Sequence, residues 1–300
     1  MAQPAFIAID WGTSNARFAL MDETGGMLAE KQGAGIAKIN GAHAIEAACF
    51  EAIDDWITLH SGLPVLMAGM VGSNIGWRET AYVETPASSE AVLSAANLFE
   101  ARGTKFAILP GVKTKRQGDG LPDLMRGEET QILGMTHDGL LCLPGTHSKW
   151  ARVSGDIIEQ FHTAQTGELL ELIGKHSILL NPQRSPAAVV GSAFSDGVKI
   201  ASANALGLES LLFTVRSRQV AGDLLAEDAD SYLAGLVIGA EIRSALAVYD
   251  DVEMVQLTGS PNLTALYAAA LEMTGKKSKQ MDGQFASLAG LTKAYQDIFA

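Results

Sequence analysis

The chain has 300 residues, 47% of them hydrophobic and 19% charged, with a formal net charge of −12. That length favours two cores over one, the composition is that of a folded globular protein, and the acidic balance excludes the broad basic face that a nucleic-acid footprint needs. Two cysteines with no CxxC pair, no basic leader ahead of the short apolar run in MAQPAFIAID, and no apolar stretch near ~20 residues predict a soluble, cytoplasmic chain with no disulfide framework and no membrane span.

Residues 6–9 are an apolar run ending at Asp10, Trp-Gly-Thr-Ser-Asn follows, and 17–21 reads as a second strand, so the chain opens on a β-hairpin. In 43–60, Ile45, Cys49, Ile53, Trp56 and Ile57 have the spacing of one helix face. Residues 65–68 form a short buried strand halted by Gly69-Met-Val-Gly-Ser. The stretch 88–100 predicts a helix with a serine start, and 105–109 a strand closed by Pro110-Gly111. Strands alternating with helices predict an α/β architecture. Residues 111–124 are glycine-rich and charged and predict a loop, either a segment that closes over substrate or a solvated connection.

The opening pattern then returns. Residues 140–143 are apolar, Pro144-Gly-Thr-His-Ser is a turn, and 149–153 resumes as a strand, with Gly145-Thr146 repeating Gly12-Thr13 and Lys149 standing near where Arg17 stood. Two lobes of one construction are expected, 1–134 and 135–300. In the second, 228–249 is a long helix with Leu233, Leu236, Val237, Ala240 and Ile242 as core positions. Residues 254–257 form a strand, Thr258-Gly259 a turn, Ser260 an N-cap, Pro261 the first residue of a helix to 273, and Gly275 its C-terminal glycine.

A glycine turn at a strand end can bring backbone N–H groups against phosphate oxygens, because no Cβ intervenes, and a following threonine or serine adds a hydroxyl. Asp10, ending the first strand, suits Mg²⁺ held largely through water. Two such hairpins and a strand–glycine–serine–helix element predict a nucleotide site, the hairpins at the phosphates and the helix start near the nucleoside. P-loop and dinucleotide-fold glycine motifs are absent. The histidines, at 43, 60, 137, 147, 162 and 176, show no metal-ligand spacing, and no GxSxG serine elbow occurs. Phosphorylation of an alcohol needs a carboxylate near the attacking hydroxyl. The run DLMRGEETQILG (123–134) offers Asp123, Glu128 and Glu129 beside Arg126. Its acids equally suit the first turn of a helix, and both readings stand on the residues alone.

IDWGTSNARFAL, GMVGSNIGW, LMRGEETQILG, LPGTHSKW and YLAGLVIGAEI together resemble the 2-dehydro-3-deoxygalactonokinase family, from about residue 5 to the C-terminus. The resemblance implies the acetate and sugar kinase, Hsc70 and actin superfamily: two RNase-H-like lobes, each a mixed sheet flanked by helices, with ATP in the cleft between them. It implies transfer of the ATP γ-phosphate, with Mg²⁺, to the 6-hydroxyl of 2-dehydro-3-deoxy-D-galactonate, a step of galactonate breakdown ahead of an aldolase. Asp10, Gly12, Thr13 and Ser14 match the first phosphate motif, with Asp10 at the metal. Gly145, Thr146, His147 and Ser148, followed by Lys149, match the second, with proline at 144 where an acidic or polar residue is usual. Gly259 and Ser260 match the adenosine motif in short form. Gly127-Glu128 stands where glycerol-type kinases carry a Gly-Asp pair, so Glu128 is the expected base, with Glu129 and Asp10 next.

For the sugar acid, Arg17 and Arg126 are the leading carboxylate partners, since the arginine fork matches both oxygens. Arg78 and Lys149 are further cations, with Arg78 reading also as surface charge; Asn15 is placed at the expected pocket, and Trp77 and Tyr82 either flank the sugar or, as aromatics after a glycine turn, are buried. Arg216 and Arg218 have no assigned role. Another sugar or sugar-acid kinase on the same scaffold, and a non-catalytic actin-like ATP-binding protein, are the alternative readings. The expected partner is a small sugar acid rather than nucleic acid or a membrane, and a homodimer is left open.

Overall fold

The computed structural model describes residues 2–135, 138–180, 188–203 and 206–300; His137, among the histidines weighed above, lies outside them. In chain order the elements begin with β1 (Pro4–Trp11), β2 (Asn15–Asp22), β3 (Met27–Ala34), α1 (Ala42–Leu59), β4 (Val65–Gly69), β5 (Tyr82–Glu84), β6 (Ala87–Ser88) and α2 (Ser89–Ser94). Next come β7 (Asn97–Ala101), β8 (Thr104–Ile108), β9 (Gly111–Lys115), β10 (Pro122–Met125), α3 (Glu128–Leu133), β11 (Gly139–Leu143), β12 (Ser148–Ser154) and β13 (Ile157–Ala164). The remainder is α4 (Thr166–His176), α5 (Ser192–Ala203), α6 (Leu208–Ala221), α7 (Ala229–Val248), β14 (Met254–Gly259), α8 (Pro261–Met273), β15 (Lys277–Asp282) and α9 (Gly283–Ile298).

Two compact units result. The first holds Met1–Asp138, Val153–Phe161 and Gly283–Ala300, the second Gly139–Arg152 and His162–Asp282. A division at residue 134 by chain order differs from this chiefly because α9, last in the chain, packs on β1, β4 and α3 of the first unit. In the first unit the main sheet runs β3-β2-β1-β4-β8-β7, with β4 parallel to both β1 and β8. The other six-stranded sheet runs β15-β14-β11-β12-β13-β6, with β14 parallel to both β11 and β15. Each of these sheets thus sets three successive strands side by side and adds two parallel strands beyond the first. The recurring glycine-threonine turn is the sequence trace of that repeated construction.

Strand periodicity sets which side chains meet which layer. Ile7, Ile9 and Trp11 of β1 enter one core with Ile45, Cys49, Phe50, Ile53 and Trp56 of α1. Phe6, Ala8 and Asp10 therefore take the other face, where Phe6 stacks on Tyr295 of α9 with ring centroids 4.5 Å apart. In the second unit α7 is apolar on nearly every side because it packs against α4, α5, α6 and α8. By length and composition alone this helix could cross a membrane, but most of its surface is buried as the core helix of the unit.

Two expectations are corrected. Ser88 does cap a helix, its hydroxyl accepting from the Ala91 N–H at 3.2 Å, but that helix ends at Ser94 and 97–101 is the edge strand β7, antiparallel to β8. Phe99 decides the matter: it lies opposite Phe106 in the ladder, their rings stacked at 5.2 Å, and a cross-strand aromatic pair outweighs helix propensity. The predicted loop 111–124 is mostly a hairpin, β9 and β10, with β5 parallel to β9. Val112 and Thr114 are buried while Lys113 and Lys115 are exposed, an alternation that the flanking glycines obscure.

Candidate active site

Asp10, next to last in β1, lies on the face that α9 covers, and the hydroxyl of buried Ser287, two turns before Tyr295, donates to its carboxylate. Arg17 is its partner across the β1–β2 ladder, with Nη1 3.8 Å from Oδ2. Burial raises the Asp10 carboxyl above the ordinary range; Arg17 and Ser287 oppose that rise and the charge of Glu128 adds to it.

Two left-handed glycines bring Glu128 there. Gly69, φ 90°, closes β4, and a Cβ on it would lie 2.8 Å from the Trp11 carbonyl oxygen and 3.7 Å from Asp10 Oδ1. Gly127, φ 110°, opens α3 with its missing Cβ 3.4 Å from the Gly69 Cα. The ends of β1 and β4 and the start of α3 can converge only because these positions carry no side chain. Glu128 is half-buried, with Oε2 accepting from the Arg126 N–H at 3.1 Å. Glu129 is wholly buried; Oε2 accepts from the Gly127 N–H at 2.7 Å and Oε1 from the Thr130 hydroxyl at 3.0 Å. Burial, with the neighbouring Glu128 charge, pushes the Glu129 carboxyl up to about 8. Glu129 is therefore an enclosed acid whose ionised form is disfavoured, and its burial corrects its standing as a candidate base.

The turn after β1 has its carbonyls directed inward: Gly35, Ile36 and Ala37 donate to Ser14, Gly12 and Thr13 at 3.2, 3.1 and 3.1 Å. Thr13, Ser14 and Asn15 are exposed, while the Gly12 N–H is held within the turn, donating to the Asn15 carbonyl at 2.9 Å. Arg126 departs from the expectation of a ligand, and Trp77 takes the buried alternative. The Arg126 guanidinium donates to the Thr80 hydroxyl, to the Thr80 carbonyl at 2.9 Å and to the Tyr82 hydroxyl at 3.3 Å, and lies over the Tyr82 ring. Those bonds tie two segments of the first unit together and occupy the fork expected for a sugar carboxylate. Trp77 is 7% exposed, packed edge-on against Phe50, Phe99 and Phe106, and is a core residue. Arg78 is exposed and stacks over Phe99.

In the second unit α4 backs the turn at 144–147. The Glu168 N–H donates to the Thr146 carbonyl at 2.9 Å, Glu168 Oε2 is 2.7 Å from His147 Nε2, and a Cβ on Gly167 would overlap the Gly145 carbonyl oxygen. A Cβ on Gly145 itself would meet nothing within 4 Å. Gly259 ends β14 alongside, its missing Cβ 3.1 Å from the Pro144 carbonyl oxygen, and Ser260 is exposed at the N-cap with no side-chain capping bond. Ser148 and Lys149, expected at the phosphates, are buried instead: Ser148 Oγ is 3.0 Å from the Tyr267 hydroxyl, and Lys149 Nζ donates to the His147 carbonyl at 3.1 Å. Both brace the turn from inside.

Among the described residues no group of three or more His, Cys, Asp and Glu side chains is placed to hold a metal ion. A lone carboxylate nonetheless fits Mg²⁺, which keeps several waters and takes further ligands from substrate phosphates. The crowding of Asp10 by the Glu128 charge is a feature that a cation would relieve. Sequence reasoning missed Ser287, Gly69 and Glu168. Ser287 sits at the far end of the chain from Asp10, and only the docking of α9 joins them.

Two α/β units of repeated strand order, each with a glycine-threonine turn after its first strand, define an actin-like ATPase fold. Solved proteins of that fold superpose with TM-scores of 0.54 and 0.52 at 12% and 9% identity. The profile of the 2-keto-3-deoxy-galactonokinase family matches residues 10–294, and the chain belongs to that family. It is 38% identical over 98% of its length to a protein of Rhizobium meliloti (strain 1021) named a probable 2-dehydro-3-deoxygalactonokinase, covering 97% of that relative. It is 33% identical over 95% of its length to the 2-dehydro-3-deoxygalactonokinase of Escherichia coli (strain K12), covering 96% of it. A crystal structure from Sinorhizobium meliloti that carries the same kinase name superposes with a TM-score of 0.84 at 36% identity, over 98% of this chain and 97% of that one.

Proposed function

We propose that this chain transfers the γ-phosphoryl group of ATP to the 6-hydroxyl of 2-dehydro-3-deoxy-D-galactonate, with Mg²⁺ and with Glu128 as the base. The kinase names of its relatives support the reaction. The observation that carries the assignment of residues is the convergence of Asp10 and Glu128 at the ends of β1 and β4, where Glu128 is near enough to disfavour the ionised form of Asp10. Of the two consecutive acids that open α3, Glu128 combines partial exposure with that proximity, whereas Glu129 is enclosed.

Bound Mg²⁺ supplies charge neutralisation on the phosphate oxygens. Asp10 is the residue that would hold it. The exposed N–H and hydroxyl groups of Thr13 and Ser14, with Gly12 leaving room beside them, and the open face of Gly145 and Thr146, bind phosphate oxygens, His147 keeps its turn in place through Glu168, and Gly259 and Ser260 border the nucleoside. Glu128 accepts the proton of the 6-hydroxyl as its oxygen bonds to the γ-phosphorus. The bond from that phosphorus to the bridging oxygen breaks, and ADP leaves with the electron pair. Arg17, nearly half exposed beside Asp10, is the remaining candidate for the sugar carboxylate, with Asn15 next to it. The cellular place that fits is cytoplasmic galactonate breakdown ahead of an aldolase; both cysteines being free buried thiols supports a reducing compartment. The test is NMR of the product made from ATP and the acid: phosphorus coupled to carbon 6 supports the reading, and phosphorus on another carbon, or none transferred, contradicts it.

A further inference from the structure

A buried carboxylate lies directly behind the second glycine-threonine turn, and nothing in the reaction described above uses it. Glu241, on α7, is 7% exposed. Its Oε1 accepts from the Trp150 indole N–H at 2.7 Å, and its Oε2 accepts from the Tyr267 hydroxyl at 2.6 Å and from the Thr166 hydroxyl. A tyrosine hydroxyl has one proton. Because Tyr267 donates it to Glu241, the 3.0 Å contact between Tyr267 and Ser148 must run from the Ser148 hydroxyl to the Tyr267 oxygen. A relay therefore runs from Ser148 through Tyr267 to Glu241.

The three donors to Glu241, and Ser148 beyond Tyr267, lie on elements that border the turn. Ser148 is the first residue of β12 after the turn, and Trp150 lies two residues on. Thr166 is the first residue of α4, whose next two residues press on Gly145 and bond to Thr146. Tyr267 is on α8, the helix that Ser260 starts. A bare buried carboxylate is costly, and one that collects several donors is stable only while all of them hold their geometry.

We infer that Glu241 is a positioning residue for nucleotide: its carboxylate fixes β12, α4 and α8 in one register and thereby sets the shape of the turn 144–148. The inference rests on the reading that this turn holds ATP phosphates. It assigns Glu241 no contact with substrate.

The test is nucleotide affinity, measured by calorimetry with a non-hydrolysable ATP analogue and Mg²⁺ on the full chain, with KM for ATP and for the sugar acid measured alongside. Glu241→Gln keeps the shape but replaces one acceptor by a donor, and Tyr267→Phe cuts the relay while leaving the ring. Each should weaken analogue binding about tenfold or more, the size expected for losing a bond to a charged group, while KM for the acid changes by less than about twofold. Tyr249→Phe removes a buried hydroxyl of the same unit that bonds to the Trp150 carbonyl, and should lower thermal stability without changing nucleotide affinity. If Glu241→Gln does not fold, Tyr267→Phe decides alone. Gly145→Ala separates this inference from the reading beneath it, because the new methyl meets no protein atom. If Gly145→Ala weakens analogue binding and the relay variants bind normally, the positioning role is wrong and the site reading survives. If Gly145→Ala binds normally as well, both fall.

Discussion

Glu128 and Glu129 are consecutive residues with opposite surroundings: Glu128 is half-buried and accepts from the Arg126 N–H, whereas Glu129 is enclosed and accepts from the Gly127 N–H and the Thr130 hydroxyl. The first turn of α3 splits them, sending one carboxylate toward Asp10 and the other into the core. Glu128→Gln should therefore lower kcat by about 10²–10⁴, the contribution of a general base, and leave analogue binding nearly intact. Glu129→Gln should keep kcat near normal. Steady-state kinetics on the two variants checks this, and the reverse pattern would move the base one residue along.

Glu129 also makes stability depend on pH. Its carboxyl holds a proton to about 8 in the folded chain but would lose it near 4.5 when unfolded. Between those values the folded state binds more protons, so the unfolding free energy falls as pH rises, by at most on the order of 5 kcal/mol. Urea unfolding at several pH values between 5 and 8 should show that decline, and Glu129→Gln should flatten it. An unchanged slope in the variant would place the titration elsewhere.

Arg17 and Arg126 should separate cleanly. Arg17→Ala should raise KM for the sugar acid about ten- to a hundredfold, the cost of a charge-assisted pair, with a smaller effect on KM for ATP. Arg126→Ala should instead lower Tm, because it strands the Thr80 and Tyr82 partners. Equal effects of Arg17→Ala on both substrates would tie that residue to phosphate or to Asp10 alone.

For the metal, Asp10→Asn should weaken the Mg²⁺ dependence of analogue binding, read by calorimetry with and without Mg²⁺. The same substitution keeps a hydrogen-bond acceptor for Ser287, so Tm should change little. A binding curve that still responds fully to Mg²⁺ would remove Asp10 from the metal.

The hairpins, the long helices and the recurring turn were legible because each depends on local periodicity and turn chemistry. Gly12, Gly145 and Gly259 stand out in the sequence since each follows an apolar strand. What could not be read depends on pairing across the chain. Whether 97–101 is helix or strand is settled by Phe106, and Ser287 meets Asp10 only through the return of α9. Arg126 looked like a ligand because its partners, Thr80 and Tyr82, are remote in sequence. Ser148 shows the same limit in reverse: its motif position suggested phosphate, but strand alternation turned it toward Tyr267.

The central claim is phosphoryl transfer to one sugar acid, and coupled-enzyme measurement of ADP release across a panel of sugar acids tests it most directly. The account predicts rapid ATP- and Mg²⁺-dependent turnover with 2-dehydro-3-deoxy-D-galactonate, much slower turnover with acids lacking a free 6-hydroxyl, and loss of the signal in Glu128→Gln. A protein that binds the ATP analogue yet releases no ADP with any acid on the panel would contradict it.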